Sequence, residues 1–354
     1  MKKFTIASFS IFAILLLSLT PLTLPIRIES AKAVTLAMQW GHLSPYMEND
    51  EDEKDLEEYV CDQIYWMFYY DNVDHHPYHH GSWEPVNAWW TYTTESDVET
   101  CMDWQNDPEN DVSFVTNWWV GDAYADAESP DPFGHFWFYG HNGDHIEDTA
   151  VNDFATSGGI ISSKQRFDFI WTCSNGGLYW DDSSGTTWNV TGITVPDQSE
   201  TKPDYNATNP FEEYGFFYNG DAVGMPLAWT NTSNLNINGY YSYIGDYCYI
   251  GFECSSPFMK NDLEGTQVQA YNFALYFYYY LLGYDDDVYP IFEHESIRDS
   301  LDYASEQTFG CSFTQSPFYT GYWVYVDVGN EEYNGWWFCR MRVLGDGFMV
   351  LPYS

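Results

Sequence analysis

Two turns in this chain hold the residue types that nucleophilic chemistry requires. FGHFWFYG (133–140) runs into His141-Asn142-Gly143, and FDFIW (167–171) runs through Thr172 into Cys173-Ser174-Asn175-Gly176-Gly177. Each is an apolar stretch that stops at a reactive side chain with glycine close by. A cysteine nucleophile needs a partner that takes its proton and later protonates the leaving group. It also needs backbone N–H groups aimed at the developing oxyanion. Glycine beside the reactive residue lets the backbone approach the reacting carbonyl. His141 and Cys173 are 32 positions apart, which fits one strand-helix-strand crossover between adjacent parallel strands. Both side chains would then stand at the carboxyl edge of one sheet, where open α/β sheets carry their ligands.

The elements that must position them alternate along the chain. VTLAMQW reads as a first strand. EDEKDLEEYVCDQIYWMFYY (51–70) reads as a helix, with Leu56, Val60, Ile64 and Met67 at helical spacing and acids in the first turn, where the helix dipole favours them. ESDVETCMDWQ (95–105) reads as a second helix and DVSFVTNWWVG (111–121) as a buried strand. FGHFWFYG and FDFIW are further strands, with a short helical stretch near 148–156 between them. Residues 178–220 are rich in Asp, Ser, Thr, Gly, Asn and Pro and read as a long surface insertion. Asn189 and Asn206 within it, and Asn231 beyond it, begin glycosylation sequons. MPLAWT (225–230) and YCYIGFE (247–253) follow as sheet segments, then helices at about 266–282 and 295–307, and the chain closes on WVYVDV and FCRMRVLGDGFMVL. Apolar runs too continuous for a one-sided sheet predict an α/β fold, a mostly parallel sheet with helices on both faces.

Residues 1–33 read as a secretory signal: MKK, the apolar run FTIASFSIFAILLL, and the small-x-small site Ala31-Lys32-Ala33. An uncleaved anchor is the alternative. Pro21, Pro25 and Arg27 shorten the apolar segment below the roughly 20 residues that span a bilayer. Residues 34–354 are then one extracellular α/β domain with its insertion, and no later segment is long and apolar enough to insert in a membrane. The whole chain carries 12 basic and 53 acidic residues, net −41. Removing the leader's four basic residues and one acid leaves 8 against 52. Such a surface excludes nucleic acid and anionic membrane as partners, since phosphates demand cations. It is compatible with basic substrates, with calcium or with a salty habitat. The 71 aromatic residues build core and half-buried surface, and disordered chains lack them.

Seven cysteines leave one over in an oxidising compartment. Cys61 with Cys101, and Cys248, Cys254, Cys311 and Cys339, are the disulfide candidates by position, with Cys173 the odd thiol.

The order strand, His, Gly, crossover, strand, Cys, small residue, Gly resembles the signature of clan CD, the superfamily of caspase, legumain, gingipain and clostripain-like cysteine peptidases. YCYIGFECSSPF is similar to the strand after the nucleophile in gingipain-like members. ALYFYYYLLGYDDD with ESIRDSLDYASEQ, and then MRVLGDGFMVLP, resemble later segments of the same group in the same order. The resemblance spans about residues 110–350. It implies a caspase-like three-layer sandwich that hydrolyses peptide bonds in a protein or peptide substrate, with no cofactor required. Cys173 would be the nucleophile, His141 the acid/base, and the backbone N–H groups of Gly143 and Cys173 the oxyanion hole. Two departures stand out. Asn142 intervenes before the glycine, although Asn tolerates left-handed backbone better than most residues. Trp171 occupies the position where clostripain-like members carry an Asp that reads a basic P1 residue.

Two other readings compete. A non-catalytic relative would use its aromatic and acidic surface as a cell-surface binding protein. A metal-binding surface protein would be built on DHHPYHH (74–80), whose His75, His76, His79 and His80 are candidate ligands, though Pro77 places them on an irregular loop. The acidic runs ENDEDEKD (48–55), Asp181-Asp182 and YDDDVY (284–289) suit a structural calcium in chemistry but lack EF-hand spacing. His145 and His294 are isolated and read as structural.

Overall fold

The computed structural model describes residues 35–42, 51–71, 83–89, 104, 112–120, 165–171, 179–181, 187–189, 198–199, 222–223, 239–243, 245–252, 256–263, 265–284, 293–326 and 335–352. The strands are β1 (Thr35–His42), β2 (Trp83–Trp89), β3 (Val112–Val120), β4 (Gln165–Trp171), β5 (Tyr179–Asp181), β6 (Thr187–Asn189), β7 (Gln198–Ser199), β8 (Ala222–Val223), β9 (Cys248–Phe252), β10 (Tyr322–Val326), β11 (Gly335–Cys339) and β12 (Met341–Gly345). The helices are α1 (Glu51–Tyr70), α2 (Ala270–Leu281), α3 (Ile297–Phe309) and the short α4 (Pro317–Thr320).

Six strands form the main sheet, in the order β2-β1-β3-β4-β9-β12. All neighbours are parallel except β12, which runs antiparallel to β9 and closes that edge. The fold is therefore α/β with a mixed, mostly parallel sheet. Phe167, Phe169 and Trp171 of β4 share one face with Trp118 and Val120 of β3 and with Ile250 and Phe252 of β9. On that face lie Val60, Ile64, Met67 and Phe68 of α1 and Phe273, Phe277 and Tyr278 of α2, all in one apolar cluster. The opposite face of the same strands is buried too, at Val115, Asn117, Asp168, Ile170 and Tyr249. Burial on both sides is why these strands read as unbroken apolar runs.

The helix boundaries follow local chemistry. Ser296 accepts from the backbone N–H of Asp299 at 3.1 Å and so caps α3, while Gly310 ends it in a left-handed conformation at φ 70°. The first turn of α1 holds Glu53, whose buried carboxylate accepts from the N–H groups of Met259 at 2.5 Å and Lys260 at 3.0 Å. One acid of the 48–55 run thus ties the start of α1 to the loop before α2.

Three segments differ from the sequence-based expectations. WEPVNAW forms β2, unexpected because Pro85 cannot donate to a ladder; the strand lies at the sheet edge, where a missing N–H is tolerated. FCRMRVLG is two strands: Arg340 separates β11, paired to β10, from β12, paired to β9. The insertion contains short strands: β5 pairs with β6 and with β8 just beyond the insertion, and β7 pairs with the distant β11. The strand expected at 225–230, nearly all of the helix at 95–105 and the leader at 1–33 lie outside the described residues; only Trp104 of that helix is described, as helical, packed on Val115.

Candidate functional site

Strand order fixes where a ligand can meet this sheet. The chain leaves β1 on one side for β2 and returns on the other for β3, so the order reverses between β1 and β3. Such a switch point opens a crevice outside the carboxyl ends of the strands. The register row at that edge is Trp89, His42, Val120 and Trp171, on β2, β1, β3 and β4 in turn. In the chain, Cys173 follows Trp171 by two residues. Cys173 itself, His141 and Gly143 lie outside the described residues.

One premise of the sequence reading needs correction. A strand ending at His141 was expected beside β4, but both hydrogen-bonding sides of β4 are occupied. β3 pairs along one side, from Thr116↔Phe167 to Val120↔Trp171, and β9 along the other, from Phe167↔Cys248 to Phe169↔Ile250. The strand preceding β4 in the sheet ends at Val120, and His141 lies 21 positions further along the chain. The crossover rule picked the wrong apolar run because two of them, 111–121 and 133–140, precede β4.

The histidine that the described residues do bring to this edge is His42. The sequence carried a signal for it: Trp40-Gly41-His42 repeats the aromatic-Gly-His pattern of Tyr139-Gly140-His141, each ending an apolar run. Trp171 is a core residue. It is 2% exposed, packs on Phe252 and Phe318 with ring centroids 5.0 and 5.7 Å away, and donates its indole N–H to the carbonyl of Pro257 at 2.8 Å. It is not available to read a substrate side chain.

A polar row crosses the sheet that the sequence reading passed over. Gln39, Asn117, Asp168 and Tyr249 occupy successive register positions on β1, β3, β4 and β9. The amide of Asn117 donates to Oδ1 of Asp168, and Oδ2 has no hydrogen-bond partner among the described residues. Burial pushes the Asp168 carboxyl up to about 8, the Asn117 bond only partly offsetting it. At neutral pH this group is a neutral acid. An aspartate inside RFDFIW, and an asparagine inside VTNWWV, were the visible signal.

His294, read as structural, is buried between two acceptors. Its Nδ1 lies 3.0 Å from the carbonyl of Leu351 and its Nε2 3.0 Å from Oδ2 of Asp71, which also accepts from the indole of Trp83 at 2.7 Å. A carbonyl only accepts, so Nδ1 carries a hydrogen; a second hydrogen lies in the Asp71 bond whichever partner holds it.

Of the cysteines, Cys61, Cys248 and Cys339 are buried and Cys311 is half-buried, and no disulfide joins any two of these four. Burial raises the thiols of Cys61 and Cys248 well above the ordinary range. Cys101 and Cys254 lie outside the described residues, as do His75, His76, His79, His80, Asp285–Asp287, Asn206 and Asn231; Asn189 is described only as the end of β6. Among the described residues no three His, Cys, Asp or Glu side chains gather as a metal site, and no helix is long and apolar enough to cross a membrane.

No protein-family model matches the chain, and no curated protein or solved structure is detectably similar to it.

Proposed function

We propose that this chain is a secreted cysteine endopeptidase of the caspase-like type, with Cys173 as nucleophile and His141 as its acid/base. The observation that carries the reading is topological. Cys173 comes two positions after Trp171, the last residue of β4, a central strand one removed from the switch point, in a sheet whose carboxyl edge is where doubly wound folds hold their chemistry. Burial of both faces of β3, β4 and β9 supports a three-layer sandwich as the frame. In the reaction, the thiolate of Cys173 adds to the peptide carbonyl, and the N–H groups of Gly143 and Cys173 take the oxyanion. His141 protonates the departing amine, and water then attacks the thioester, returning the thiol and releasing the acid. No organic cofactor enters this scheme. Buried Trp171 argues against a basic P1 requirement read from that position.

The non-catalytic reading has one observation in its favour: the sheet does not set a His141 strand directly beside β4. Turnover of a peptide library by the full chain, compared with Cys173→Ala and His141→Ala, separates the two. Peptidase predicts turnover abolished in Cys173→Ala and reduced at least a hundredfold in His141→Ala, with far-UV spectra unchanged. Cleavage that survives Cys173→Ala overturns the assignment. If His141→Ala is silent and His42→Ala is not, the acid/base has been misplaced.

A further inference from the structure

The two helices beside β1 and β4 end together, and what lies between their ends is aromatic. β2 is parallel to β1, so α1 starts at the carboxyl edge of the sheet and finishes at the amino edge, where Asp71 meets Trp83, the first residue of β2. α2 follows β9 in the same sense and ends at Leu281. A cleft of about 280 Å³ opens there, lined by Gln63, Trp66, Met67 and Tyr70 of α1 and by Tyr279 and Tyr284.

The lining is unusual for an acidic protein because, among the described residues, no charged side chain belongs to it. Trp66 is 42% exposed and stacks on Tyr70 at 5.5 Å between centroids, their planes 26° apart. Tyr279 and Tyr284 meet edge to face at 5.8 Å on the other wall. The Tyr284 hydroxyl donates to the carbonyl of Met67 at 2.5 Å, which fixes that ring across the gap between the helices. Burial, with Asp71 nearby, keeps the phenol un-ionised, so its ring is an electron-rich face and not an anion.

Three effects at this spot favour a cation. Ring faces attract one through their quadrupoles. The C-terminal ends of α1 and α2 both present the negative pole of the helix dipole, and neither helix has a basic residue in its last turn to neutralise it. The chain as a whole is net −41. A flat guanidinium suits such a cleft better than a compact ammonium, because it stacks on aromatic planes and sheds water more readily. The side-chain oxygen of Gln63 can accept one of its N–H groups.

We propose that this cleft binds the guanidinium of an arginine side chain on a basic protein or peptide partner. The site is at the amino edge of the sheet, opposite the edge that Cys173 follows, so the proposal stands whether or not the chain cleaves peptides.

The test is calorimetric titration of the full chain with N-acetyl-arginine methylamide and with its neutral isostere N-acetyl-citrulline methylamide. The arginine compound should bind at least tenfold more tightly, and the difference should shrink as salt is raised. Trp66→Ala should weaken arginine binding at least tenfold, while Trp66→Phe keeps most of it. Tyr325→Ala, an equally exposed aromatic on β10, should change nothing. Equal affinity for citrulline overturns the proposal in favour of a merely apolar groove. Tighter binding of methyl glucoside than of the arginine compound overturns it in favour of a saccharide platform. Absence of arginine binding, or binding indifferent to Trp66→Ala, also refutes it. The arginine–citrulline comparison is made on the unaltered protein, so it holds even if a variant misfolds.

Discussion

Asn117 and Asp168 face each other in register across β3 and β4, the amide of the first donating to the carboxyl of the second, and neither exposes any surface. A carboxyl so placed resists ionisation, and that gives the fold a pH dependence with a definite sign. Its folded value is about 8, against an ordinary 3.8. Between those limits the folded chain keeps a proton that the unfolded chain gives up. The stability from the neutral acid is complete below pH 3.8 and is lost as pH rises towards 8, by up to about 1.4 kcal/mol per unit. Asp168→Asn, which cannot ionise, should flatten this part of the curve. In urea unfolding at pH 5 and pH 8, the native midpoint should fall more than that of the variant. The raised carboxyls of Asp62, Glu295 and Asp346 are present in both proteins and cancel in the difference. Parallel curves for the two proteins would sink the idea.

The Asp71–His294 pair should be far costlier to halve than to neutralise. His294→Ala strands a buried carboxylate and frees the Leu351 carbonyl, at about 3–5 kcal/mol. Asp71→Asn keeps an acceptor for the indole of Trp83 and removes the charge, so it should cost less. Denaturant midpoints of the two variants decide the ranking; an equal or reversed order means the hydrogen lies elsewhere.

Native-state alkylation should sort the thiols by burial. Cys61 and Cys248, wholly buried with raised thiols, should label only on unfolding, and half-buried Cys311 slowly. The peptidase reading requires Cys173 to label first. Mass spectrometry of each cysteine peptide, without reductant, reads out the order. A disulfide at Cys173 in folded protein removes the nucleophile from that form.

Gly345 closes β12 at φ 95°, and a Cβ there would come 2.3 Å from the Tyr247 carbonyl oxygen. Gly345→Ala should therefore destabilise by more than about 1 kcal/mol, through both strain and the clash. Thermal unfolding of the variant checks this; an unchanged midpoint would show that this end of the β9–β12 ladder can relax.

Much of the frame was legible because periodicity and length carry it. α1, β3, β4, β9, α2 and α3 match stretches whose apolar spacing or continuous apolar run already named the element. The polar row was not legible, since Asn117 and Asp168 are single interruptions whose meaning depends on register between strands 51 positions apart. β2 was hidden by Pro85, which is permitted only because the strand is an edge. Strand adjacency failed for a related reason: spacing along the chain cannot say which of two apolar runs pairs with β4, whereas hydrogen bonding can. The chemistry at Cys173 was read from residue type and from its place just past an apolar run; β4 is described only to Trp171, and Cys173 lies outside the described residues. The aromatic cleft escaped because its two walls come from helices 200 residues apart, each unremarkable in sequence.

The antiparallel strand β12 gives this chain a particular relation to time. Until residues 341–345 arrive, β9 keeps a bare edge, and the N–H groups of Ile297 and Arg298 lack the carbonyls of Met349 and Gly347 that hold them. His294 waits for Leu351 in the same way. The sheet is completed only by a segment made long after β9, so its closure comes late. It also means that loss of residues 341–345 would expose the hydrophobic β9 edge to pairing with other copies.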